Sequence, residues 1–239
     1  MKYLLMVVIS IFSLHAIAQN DIEVEAAKVE KRALSGSFSA ISVANGIDVF
    51  LTQTDEASIA VSAADEKYLE HFITTVFNGT LKIYYDTKAL KMIGVGKRKL
   101  KAYVSCKMIN KLAISSGSQV VLKTVLKLAE LDCSVSSGSS FSGEVNIGAL
   151  TVAQSSGSDV ELSGTATKLQ VEVNSGAIFK GYELSVDYCQ AKATSGGGVR
   201  ITVNKELNAK ANSGGGVRYK GEAVIKDLSV SSGGLVKKA

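Results

Sequence analysis

Ser136-Ser137-Gly138-Ser139, Ser155-Ser156-Gly157-Ser158 and Asn174-Ser175-Gly176-Ala177 are three copies of one phrase, and the back half of the chain carries seven of them. The other four are Ser115-Ser116-Gly117-Ser118, Thr194-Ser195-Gly196-Gly197, Asn212-Ser213-Gly214-Gly215 and Ser231-Ser232-Gly233-Gly234. From Gly117 to Gly233 the glycines step by 21, 19, 19, 20, 18 and 19 residues. A near-fixed period is the mark of a repeat architecture, and here one unit is about 19 residues.

Aligning the copies on that glycine exposes three apolar columns. Three residues after it stand Val120, Phe141, Val160, Phe179, Val199, Val217 and Val236; five before it stand Leu112, Cys133, Val152, Val171, Ala191, Ala209 and Leu228. The column three before it is Ile114, Val135, Val173, Ala193, Ala211 and Val230, with Gln154 the exception. Apolar and polar positions alternating at period two on both sides of a turn indicate strands with one buried face. A unit this small cannot bury that face alone, so successive units stack. No stretch at this period holds a helical pattern, which excludes helical and leucine-rich solenoids. The fold class is therefore all-β, a parallel β-helix in which each repeat is one coil rising about 4.8 Å.

The glycines at 117, 138, 157, 176, 196, 214 and 233 are read as the corner residues, since glycine takes a positive φ without a Cβ penalty. Ser116, Ser137, Ser156, Ser175, Ser195, Ser213 and Ser232 then stack as a column of hydroxyls able to satisfy corner backbone groups. A serine nucleophile is the rival reading, but a scaffold needs seven equivalent serines and catalysis needs one.

Upstream, Phe38 to Leu51 repeats the register around Gly46: Ile41 and Val43 precede it by five and three residues, and Val49 and Leu51 follow it by three and five. Between this copy and the regular coils, Ser58 to Ala63 alternates as a strand, and Ala64 to Phe72 suits a short helix. Ile73 to Phe77, Asn78-Gly79 and Leu81 to Tyr85 read as a hairpin, because Asn-Gly favours the primed turns. Leu100 to Cys106 reads as a further strand.

Asn45-Gly46-Ile47-Asp48, the Asn78-Gly79-Thr80-Leu81-Lys82-Ile83 stretch and the run of Ser-Gly turns resemble the putative autotransporter-adhesin head domain family named for a Gly-Ile-Asn motif. The resemblance runs from about Phe38 to the C-terminus. It implies a single-stranded, right-handed β-helix, similar in architecture to pectin lyases but without their catalytic residues, and an adhesive role.

Met1 to Ala18 has Lys2, an apolar run from Tyr3 to Leu14, and Ala16-Ile17-Ala18. This reads as a secretory signal cut before Gln19, so the protein is expected in the periplasm, at the outer surface or secreted. Residues 19–37 read as a mobile lead-in, and residues 38–239 as the β-helix, irregular over 38–111 and regular over the seven coils of 112–239. No apolar run after the leader is long enough for a transmembrane helix.

Three cysteines in an exported chain invite a disulfide, but Cys133 and Cys189 fall three coils apart, roughly 14 Å, out of reach of each other. Coil count also separates Cys106 from both, and all three are read as buried, reduced thiols. Residues 20–81 hold 4 basic and 10 acidic residues, 82–127 hold 11 and 1, and 128–239 hold 11 and 11. The basic middle could attract acidic polysaccharide or an anionic surface, or meet the acidic N-terminal part. It lacks the aromatic interleaving of a nucleic-acid binder.

Gly94-Val95-Gly96-Lys97-Arg98-Lys99 lacks the spacing and context of a phosphate loop. The triple glycines at 196–198 and 214–216 could form anion-binding nests, though turn sterics explain them better. One histidine beyond the leader, His71, and scattered cysteines do not make a metal site, and no cofactor is implied. Four residues after each corner glycine the side chain points outward, giving Val121, Ser142, Glu161, Lys180, Arg200, Arg218 and Lys237. The last four form a basic ladder. It is either a solvated face or a groove for an anionic polymer, with Lys180, Arg200 and Arg218 as the ligand-binding candidates.

Taken together, these features describe an exported, non-catalytic, adhesin-like module for polysaccharide or cell-surface glycan. The alternatives are a polysaccharide-acting lyase or hydrolase on the same scaffold, or a structural envelope protein. The terminal coil, ending in Lys237 and Lys238, offers an edge for self-association.

Overall fold

The computed structural model describes residues 29–89 and 97–239. The leader read at residues 1–18 lies outside them. Four long strands, β11 (Ser140–Gln154), β12 (Asp159–Val173), β13 (Ile178–Ala193) and β14 (Gly198–Ala211), each run from one corner almost to the next. Neighbouring coils pair in parallel, with Phe141 opposite Val160, Val160 opposite Phe179 and Phe179 opposite Val199. This is the β-solenoid, and its register is that of the glycine alignment.

The inward columns meet along the axis. From Leu112 to Ala209 and from Ile114 to Ala211 the column residues are buried, as are Val120, Phe141, Val160, Phe179, Val199 and Val217. All of them but Gln154 and Ala211 join one continuous core. Burial of about 25 cal/mol per Å² of apolar surface along such a stack is the main force holding coil on coil.

The corner differs in detail from the glycine-only expectation. Ser116 (φ 56°) and Gly117 (φ 70°) are both left-handed, and the same holds at each later copy. Ser118 N–H donates to Ser115 C=O at 3.3 Å across them, closing a turn with the two positive φ values of type I′. The serine column also works through its backbone. Gly46 N–H donates to Ser116 C=O, Gly117 to Ser137, Gly138 to Ser156, and so on to Gly214 and Ser232. The carbonyls rather than the hydroxyls form the ladder between corners.

The buried hydroxyls sit one residue after the glycine, at Ser118, Ser139 and Ser158. Ser118 Oγ accepts from Gly46 N–H and Ile47 N–H, and Ser158 Oγ donates to Val135 C=O at 2.9 Å. In later coils this position is Gly197, Gly215 and Gly234, where an added Cβ would stand 2.2 to 2.6 Å from a backbone oxygen. Close backbone approach therefore explains the second glycine of each triplet.

The coil around Gly46 is the direct neighbour of the first Ser-Gly coil. Strands β2 (Ala40–Val43) and β3 (Asp48–Gln53) pair in parallel with β8 (Lys111–Ile114) and β9 (Gln119–Leu122). On their other side lie β6 (Thr80–Tyr85) and β7 (Lys101–Cys106). The outermost strands are antiparallel: β5 (Phe72–Phe77) forms the Asn78-Gly79 hairpin with β6, and β4 (Ser58–Ser62) pairs with β7. The short helix is a 3-10 turn, Glu66–His71, capped by Asp65, and it buries Tyr68 and Leu69 in the core.

Val29–Arg32, placed by sequence in a mobile lead-in, is instead strand β1, paired antiparallel with β4. Arg32 donates from Nη2 to Leu69 C=O at 2.8 Å, tying this strand to the 3-10 turn. The solenoid ends with β15 (Gly216–Lys220), β16 (Val224–Val230) and β17 (Leu235–Lys238).

All three cysteines are buried and free. Burial pushes the Cys106 thiol up to about 11 and the Cys189 thiol up to about 12, and it raises Cys133 too, with Asp132 adding to the effect. Among the described residues no helix is long and apolar enough to cross a membrane.

Candidate functional site

The alternation that points Val199 and Val217 inward turns Arg200 and Arg218 to solvent. Parallel register then stacks Lys180, Arg200, Arg218 and Lys237 on successive coils, about 5 Å apart. The three candidate residues are thus brought together, but they are not equivalent. Lys180 Nζ lies 2.8 Å from Asp159 Oδ2 and 3.8 Å from Glu161 Oε2. Among the described residues Arg200 and Arg218 have no carboxylate partner. At such spacing two cations repel by about 1 kcal/mol even in water, which an anionic ligand would relieve.

The surface beside the arginines is bare. Two residues before each stands Gly198 or Gly216, where an added Cβ would meet nothing within 4 Å. In the same column Ile178 precedes them and Leu235 follows, so the two glycines floor a trough bounded by apolar side chains. On the other flank Lys220 Nζ sits 4.5 Å from the ring centre of Tyr182. Thr202, between them, donates from Oγ1 to Tyr182 C=O at 2.7 Å. A groove of about 450 Å³ runs from Arg200 toward the middle of the solenoid, lined by Glu144, Glu161, Lys180, Tyr182 and Glu183.

Followed toward the N-terminal end, the outward column passes Glu161, Ser142 and Val121 and reaches Phe50 and Tyr103. Their rings stack with centres 5.4 Å apart and planes 20° from parallel, and Lys123 Nζ lies 5.7 Å from the Phe50 ring centre. A second groove of about 440 Å³ is built there, with Thr52, Ser58, Lys101 and Lys123 around the rings. One face thus carries aromatic rings at one end and unpaired cations at the other.

Sequence reasoning missed the aromatic end. Phe50 follows Gly46 by four residues and was there to be read. Tyr103 follows Lys99, whose φ of 46° makes it the corner of a coil without the Ser-Gly phrase, so no motif marked the register. His71 ends the 3-10 turn, its ring edge-on to Tyr85. No group of three or more metal-binding side chains occurs among the described residues.

The family model described as a putative auto-transporter adhesin, head GIN domain, matches residues 37–223. The chain belongs to this family. Among solved structures, this head domain is similar to a putative adhesin from Bacteroides fragilis, with a TM-score of 0.80 at 16% identity, covering 90% of this chain and 98% of that one. A putative adhesin from Parabacteroides merdae aligns with a TM-score of 0.68, also at 16% identity, over 90% of this chain and 98% of that one. A putative lipid binding protein from Parabacteroides distasonis gives 0.62 at 16% identity, over 89% and 96%. At such identities these neighbours carry the fold alone. Among curated proteins nothing matches.

Proposed function

We propose that this head domain is a non-catalytic, adhesin-like binding module that holds an acidic polysaccharide along its outward column, with Arg200 and Arg218 as the central contacts. The observation that carries the reading is the in-register pair of unpaired arginines beside the bare trough of Gly198 and Gly216. Guanidinium groups present a planar fork that matches carboxylate and sulfate oxygens, and a linear polymer lying along the axis meets one cation per coil. Lys180 plays a smaller part because Asp159 and Glu161 already occupy it. An exported, surface-facing head fits the adhesin-like family, and the leader at Met1 to Ala18 supplies the route; mature protein beginning at Gln19 would support it.

A polysaccharide-acting enzyme is the second reading, favoured by the three glutamates, 144, 161 and 183, that line the groove beside Tyr182. Incubating the protein with acidic and neutral polysaccharides, while recording both retention and release of shorter products, separates the two. Retention without products, lost with salt and in the Arg200→Ala, Arg218→Ala double variant, supports binding. Product release that disappears in Glu161→Gln supports the enzyme.

A further inference from the structure

Phe50 and Tyr103 do not share their stack equally. Lys123 Nζ sits over the outer face of Phe50, so that face is taken. The two planes lie 20° from parallel, and the stack turns the outer face of Tyr103 away from Phe50, toward the next strand. There Ala60 stands directly opposite Tyr103, and Lys31 stands opposite Ala60. The side chain at the middle step is one methyl group, while Tyr103 and Lys31 are two strand spacings apart, roughly 10 Å. The result is a slot with an aromatic wall, a methyl floor and room for one ring, opening into the groove of about 440 Å³.

The rim of the slot is polar. Ser58 and Ser105 face each other across the same strand pair with their hydroxyls hydrogen-bonded, and Thr52 continues the row. On the other side of Tyr103, two residues earlier on the same outward face, is Lys101. It stands opposite Asp48, yet it forms no salt bridge among the described residues.

We propose that this slot binds a hexuronic acid, a six-membered sugar ring bearing a carboxylate, with the C–H face of the ring on Tyr103 and the carboxylate on Lys101. A pyranose is apolar on its faces and polar round its edge, and the slot is apolar within and hydroxyl-lined at its rim. Apolar walls with a few placed polar groups are the general build of a small-molecule site. An aromatic ligand would leave the row of Ser58, Ser105 and Thr52 unused, and a neutral sugar would leave Lys101 without a counter-charge. The slot lies six strand spacings from Arg200 along the outward column, roughly 29 Å. It deepens the acidic-polysaccharide reading, on which it rests for the class of ligand, by naming the sugar and a second place that holds it.

A trimer of galacturonic acid, too short to reach from Tyr103 to Arg200, tests the proposal by titration into isotope-labelled protein. Saturable shifts are expected at the amides of residues 58–60 and 101–105. Tyr103→Ala should weaken trimer binding roughly ten-fold, and so should Ala60→Leu, which fills the slot and keeps the ring. Circular dichroism should not change in either, because both side chains face outward, and Tyr103→Phe should bind as wild type does. Lys101→Gln should lower the affinity for this trimer to that for a neutral galactose trimer. Binding unaltered in Tyr103→Ala or Ala60→Leu, or equal affinity of the wild type for the two trimers, would overturn the proposal. The Arg200→Ala, Arg218→Ala double variant separates the two readings. Trimer shifts that persist there while retention of long polymer is not lowered would sink the arginine site and leave this one; lowered retention without trimer shifts in any variant would do the reverse.

Discussion

Lys180 and Asp159 meet at 2.8 Å across one coil boundary, and this single pair divides the basic ladder into a neutralised end and an available one. Lys180 stacks on Arg200 in the same outward column, so sequence position alone ranks them together. Their difference arises because Asp159 stands two residues before Glu161 and directly opposite Ile178, where its carboxylate reaches sideways to the lysine.

Asp159→Asn should therefore strengthen retention of an acidic polysaccharide. Lys180 is left with the longer contact to Glu161 at 3.8 Å, and a third cation becomes available below Arg200. Both side chains are nearly two-fifths exposed, so losing the pair costs the fold less than about 1 kcal/mol. Affinity measured at low salt should rise several-fold and the dependence on salt should steepen. Unchanged retention with intact Arg200 and Arg218 contacts would remove Lys180 from the site.

The two glycines ahead of Val217 should respond oppositely to alanine. At Gly215 the new Cβ would stand 2.3 Å from the Ala193 carbonyl oxygen, and backbone cannot move aside cheaply. A loss of about 1–3 kcal/mol is expected, visible as a lower thermal midpoint. At Gly216 the Cβ meets open space, and alanine should be neutral or stabilising by roughly 0.4–1 kcal/mol. The same variant narrows the trough beside Arg218, so reduced polysaccharide retention with unchanged stability would support that trough as a binding surface.

The fold was legible because its repeat is written twice, in spacing and in alternation. Every coil from Gly117 to Gly233 follows its phrase, and the register of Phe141, Val160, Phe179 and Val199 came directly from the alignment. The first coils were legible only as pieces. The hairpin around Asn78-Gly79 carries its own turn chemistry, but nothing in residues 52–110 states that Tyr103 lands on Phe50, because the corner at Lys99 has neither serine nor glycine. Long-range pairing of this kind depends on which insert folds back, and local pattern does not encode it. The site was half legible for the same reason: the spacing located Arg200 and Arg218, while the capture of Lys180 by Asp159 depends on side-chain reach between coils.

Gln154 interrupts a column that is otherwise Ile114, Val135, Val173, Ala193, Ala211 and Val230, and it is buried. Its Nε2 donates to Ile178 C=O at 3.0 Å, but Oε1 has no partner. A buried acceptor left unmatched costs on the order of 1–3 kcal/mol. Gln154→Val restores the column, and it should raise the thermal midpoint by about 2–4 °C per kcal/mol gained. A lower midpoint would mean that the hydrogen bond to Ile178 outweighs the unmatched carbonyl.

The buried thiols predict how stability changes above neutrality. In the unfolded chain a cysteine ionises near its ordinary 9.0, whereas burial holds Cys189 in the folded state at about 12. The folded state therefore keeps a proton that the unfolded state loses. Stability from this group is complete below about pH 9 and falls as pH rises from there toward 12. Between pH 8 and pH 10 the loss is on the order of 1 kcal/mol for one such thiol. Denaturant midpoints of wild type and Cys189→Ala, measured at both pH values under reducing conditions, isolate it: the wild type should lose that much more than the variant. Native protein should also resist alkylation at pH 8 and react fully in denaturant. Equal losses in the two proteins, or rapid alkylation of folded protein, would show that Cys189 is accessible and titrates as an ordinary thiol.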